Sequence, residues 1–190
     1  MKTTLLERLG VLSCVVSGVL LFLAHVLNLG ASSGPGTVLG QTLVLSAHLL
    51  LVFAFFWLYA AYGSQIGLLG VLGMISGIVG TILVTVIVFV EVASASGKQV
   101  DAVFETSITR NLHTFGPLLF VLGMILFGLS FLRLKAFPRG GGLLLIVGTM
   151  VFASGGLAGD AEAFISTLGA AFTGAGFVWL GMSSLKNRLC

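Results

Sequence analysis

Charge is the scarcest resource in this chain. Only 8% of its 190 residues are Asp, Glu, Lys or Arg, against about a quarter in soluble domains. A water-soluble chain of this size has too few charges to cover an apolar content of 57%. No stretch carries a dense Lys/Arg run, and the net charge is +3, so nucleic acid is not an expected partner. Cysteine is almost absent, at two residues, Cys14 and Cys190. They lie far apart without a CxxC or CxxH spacing, which excludes a disulfide framework or a cysteine-based metal knuckle. Cys14 reads as a small buried hydrophobe and Cys190 as a free terminal thiol. Proline occurs three times, at Pro35, Pro117 and Pro138. Pro35 and Pro138 fall in loops, and Pro117 in the first turn of a helix, where proline is tolerated. No GxSxG is present and no Asp falls inside an apolar stretch, so catalysis has little to stand on.

Apolar sequence is what the chain has in abundance. Mean hydropathy is +1.17. Six long apolar stretches cover most of the chain, near Leu9–Leu29, Leu39–Tyr62, Ile66–Val90, Phe115–Leu132, Gly140–Ala158 and Ala163–Ser184. A bilayer-crossing helix needs about 20 such residues. The stretches lack a period of two and are too long for barrel strands, which excludes a β-barrel. The sequence predicts an all-α polytopic membrane bundle, residues 1–190 forming one membrane domain with six transmembrane helices. Lys2 and Arg8 precede a first run too long for a signal-peptide core, so it reads as a retained signal anchor.

The short connections fix the expected orientation. Lys2, Arg8, Arg133, Lys135, Arg139, Lys186 and Arg188 all fall on one side of a six-span chain. The positive-inside rule makes that side, and both termini, cytoplasmic. Asp160 and Glu162 mark an acidic turn on the other side. The longest polar segment runs from Glu91 to Thr114. Within it, residues 99–112 space Val100, Val103, Phe104, Ile108 and Leu112 as one helical face, predicting an amphipathic segment on the outer surface. Trp57, Tyr59, Tyr62 and Trp179 read as interfacial anchors.

Helices in lipid associate through small residues and hydrogen bonds. Gly63, Gly67, Gly70, Gly73, Gly77 and Gly80 mark the third span as central, with GxxxG pairs at Gly63/Gly67 and Gly73/Gly77. Gly10, Cys14, Ser17, Gly18, His25 and Asn28 share one face of the first span.

Ionisable groups inside spans are the default pointers to a site. They are His25, His48, Glu91 and His113, all in the outer half by this topology. His25 lies roughly 6 Å and His48 about 10 Å below the outer ends of their helices, at 1.5 Å per residue. Three readings of these groups stay open. His25 and His48 on neighbouring helices suit the axial ligation of a haem b. His25, His48, Glu91 and His113 are also ligand types for zinc or copper, although four separate elements would have to converge. In the third, they hydrogen-bond across helices or face water.

The run from Gly116 to Gly148, GPLLFVLGMILFGLSFLRLKAFPRGGGLLLIVG, resembles a turn found in uncharacterised small prokaryotic membrane proteins of the DUF4386 type. The matching residues are Leu132, Arg133, Pro138, Arg139 and Gly140. Phe89–Val92 and the Leu58–Tyr59 pair are similar too. The likeness implies six helices and a prokaryotic plasma membrane, and no activity. The expected role is a non-catalytic binding or accessory subunit, its partners the lipid bilayer and other membrane subunits or a second copy of the chain. A haem- or metal-holding redox or sensory protein is the alternative. A small-solute transporter is the third.

Overall fold

The computed structural model describes residues 4–31, 36–134 and 138–187. Lys2, Pro35, Lys135, Arg188 and Cys190 lie outside the described residues. The described chain is helical throughout: α1 (Leu5–Asn28), α2 (Val38–Ala95), α3 (Ser107–Leu132), α4 (Arg139–Gly155) and α5 (Glu162–Asn187), with 3₁₀ turns at Asp101–Phe104 and Gly159–Ala161. Among the described residues, four helices are long and apolar enough to cross a membrane, and α4 is a shorter apolar helix. Long apolar helices of this kind are those of a membrane protein.

The helix starts are written locally. Thr4 and Glu7 form a capping box on α1: the Glu7 amide donates to Thr4 Oγ1 at 3.3 Å and the Thr4 amide donates to Glu7 Oε2 at 2.8 Å. Thr37 caps α2 and Thr106 caps α3 through amide donors at Gly40 and Thr109. These bonds occupy amides that helix geometry leaves without partners.

Helix α2 has 58 residues, about 87 Å if it were straight at 1.5 Å per residue. It is not straight. Gly67 breaks it at φ 58 and ψ −161, a backbone state essentially confined to glycine. The two arms fold back on each other. Gly77 of the second arm faces the ring of Phe55 in the first, and Val44 and Val88 join Ala24 in one buried cluster. The sequence placed the break between Tyr62 and Ile66, but the first arm stays helical to residue 66 because only Gly67 takes positive φ there.

Helix packing closes a ring: α1 on α2, α2 on α3, α3 on α4, α4 on α5, and α5 back on α1. Glycines bring the backbones together. A Cβ on Gly80 would fall on the Phe120 backbone, one on Gly123 on the Gly77 backbone, and one on Gly18 on Gly174. Gly63 and Gly67 do not share this role. The nearest atoms to a Cβ on Gly63 belong to the Tyr59 side chain of its own helix, and nothing lies within 4 Å of a Cβ at Gly67. Their GxxxG spacing belongs to the break, not to a helix contact.

Five interior rings pack in one chain, in the order Phe177, Phe55, Phe127, Phe131, Tyr62. Their centroids are 5.1–5.7 Å apart; three pairs stand edge-to-face, a geometry that aromatic pairs favour, and Phe55–Phe127 is tilted at 58°. All five are fully buried. Tyr62 is therefore core, not an interfacial anchor. So is Trp57, whose Nε1 donates to Ser184 Oγ at 2.9 Å and whose ring covers Gly10. Both residues point inward because their helix face meets α1, α3 and α5. Trp179 is 40% exposed, as an anchor would be. Cys14 is fully buried and free.

Helix α3 begins eight residues before the apolar stretch that announced it. The 99–112 segment is divided between the 3₁₀ turn and the opening turns of α3. The cap at Thr106, not hydropathy, sets the start. Pro117 consequently sits inside α3 rather than in its first turn. It has no N–H to donate to the carbonyl of His113, four residues back.

Candidate functional site

The described charges divide between the two ends of the bundle. Arg8 in the first turn of α1, Arg133 at the end of α3 and Arg139 at the start of α4 share one end with Trp57 and Tyr62. The Arg139 Nε donates to the Leu134 carbonyl and closes the turn between α3 and α4. Glu7 lies beside Arg8 in the first turn of α1, and Glu91, Lys98, Glu105, Arg110, Asp160 and Glu162 belong to the helix ends and turns at the opposite end. All four site candidates lie toward that opposite end.

His48 is the most enclosed of them. It sits in the first arm of α2, 5% exposed, with its ring 5.5 Å from that of Phe120 on α3. Its Nδ1 is 2.9 Å from the Val44 carbonyl oxygen one helical turn back. A carbonyl only accepts, so Nδ1 carries the hydrogen and the neutral ring keeps its lone pair on Nε2. A ring held this way matches a common preparation of a metal-binding imidazole.

His25 is half-buried on α1. Its ring stands edge-on to Phe152 of α4 at 5.0 Å. Its carbonyl accepts from Thr167 Oγ1 of α5 at 3.2 Å. The two histidines thus stand on helices that pack on each other, α1 and the first arm of α2.

The other two candidates are set apart. His113 is exposed in α3 and lies 4.7 Å from the ring of Phe104 in the 3₁₀ turn. Glu91 is half-buried in the last turns of α2. Among the described residues, no three His, Cys, Asp or Glu side chains gather as metal ligands would.

Phe120, Phe152 and Thr167 shape the histidine pair and were not among the residues singled out from the sequence. They stand far from His25 and His48 along the chain, in apolar runs with no local signal. Asn28 also gains a definite role. Its Oδ1 accepts from the Thr37 amide at 2.9 Å and from Thr37 Oγ1 at 3.2 Å. It ties the end of α1 to the start of α2.

Chemically, the structure offers one fixed imidazole with an oriented lone pair, His48, and a second imidazole, His25, on the adjoining helix. Four enclosed serines, Ser13, Ser17, Ser130 and Ser183, donate to carbonyls of their own helices. That is the usual behaviour of hydroxyls in apolar surroundings. Comparison with models of known families, with curated proteins and with solved structures gives no match.

Proposed function

We propose that this chain is a six-span protein of a prokaryotic plasma membrane, both termini cytoplasmic, acting as a non-catalytic binding or accessory subunit. Splitting α2 at Gly67 leaves arms 38–66 and 68–95. Each is over 40 Å long at 1.5 Å per residue, ample for a bilayer core of about 30 Å. The 17 residues of α4 meet the lower limit of a span, about 17. Arg8, Arg133 and Arg139 at one end support that end as the cytoplasmic one.

The observation that carries the subunit reading is the contrast between interior and outside: five rings are fully buried against one another, while large apolar side chains such as Phe53, Phe89, Phe115 and Phe164 are at least 60% exposed. A bundle built this way meets other molecules on its outside, through lipid or helix contact. The test is the mass of the particle extracted from native membranes in mild detergent. A fixed-stoichiometry assembly with other membrane chains, or with a second copy, is expected. A lone monomer refutes the role.

The orientation of His48 favours a second reading, a redox or sensory protein holding haem b or a metal at His25 and His48. The Nδ1–H bond to Val44 leaves Nε2 as a ligand atom. When bound, haem would supply one-electron chemistry at iron. The protein would supply the fixed imidazole of His48, the His25 imidazole, and the Phe120 and Phe152 rings beside them. Visible spectra of protein from native membranes decide. A Soret band lost in His48→Ala supports the reading, and a spectrum without visible bands removes haem.

A further inference from the structure

No further inference is drawn: the strongest candidate, the buried hydroxyls of Thr81 in the second arm of α2 and Thr149 in α4 that meet no hydrogen-bond partner, carries nothing, because the two side chains stand on separate helices and nothing among the described residues gathers them into one site or shows what ligand they would hold.

Discussion

Replacing Gly67 with alanine tests the feature that gives this bundle its topology. The residue holds φ 58 and ψ −161, and nothing stands within 4 Å of an added Cβ. Any penalty must therefore come from the backbone, with no contribution from packing. A non-glycine residue in this region is destabilised by about 1–3 kcal/mol. The strain has no easy release, because a straight α2 would separate Phe55 from Gly77 and Val44 from Val88. Asparagine should fare no better than alanine, since its tolerance is for ψ near +47°, far from the ψ of Gly67. D-Alanine should restore stability, because the mirror image of this backbone state lies in the polyproline region. The assay is reversible unfolding in mixed micelles with increasing dodecyl sulfate. Gly156→Ala is the internal control: that glycine is also open to a Cβ but sits at φ −60 and ψ −10. Its substitution should be neutral or add about 0.4–1 kcal/mol by restricting the unfolded chain. If Gly67→Ala and Gly156→Ala behave alike, or if Gly67→Asn alone is tolerated, the backbone account of the break is wrong.

Three further outcomes follow from the packing. Gly80→Ala drives a Cβ into the Phe120 backbone and should destabilise by about 1–3 kcal/mol through overpacking; measured in the same micelles, a neutral result would mean that α2 and α3 are farther apart than described. Trp57→Phe removes the donor to Ser184 and should cost about 0.5–1.5 kcal/mol. A double-mutant cycle with Ser184→Ala should show coupling, and additive effects would disprove the bond. Asn28→Ala deprives the Thr37 amide of its acceptor and should cost about 1–3 kcal/mol. Faster hydrogen exchange at the first amides of α2 would report it, and unchanged exchange would count against the tie.

Much of the helical architecture was legible because hydropathy records the solvent directly. Apolar runs of span length, and glycines at helical spacing, are local properties of the chain. Gly73, Gly77 and Gly123 carry the contacts that their spacing implied. Gly63 and Gly67 show the limit of that logic: spacing alone does not distinguish a glycine chosen for close approach from one chosen for its φ. Trp57 and Tyr62 show a second limit. Aromatic residues near a helix end suit an interface or a core equally, and the helix face decides. The start of α3 was obscured because a threonine cap outweighs the polarity of the residues behind it.

The sequence by itself determined that this chain folds as apolar helices with its basic residues confined to a few connections, because composition and hydropathy need no partner to act. It also named the histidines worth examining. Only the tertiary structure decided that Gly67 makes the turn, that five buried rings pack in one chain, and that His48 is enclosed while His113 is exposed. Those outcomes depend on which helix faces meet, and that is settled by contacts between residues distant in the chain.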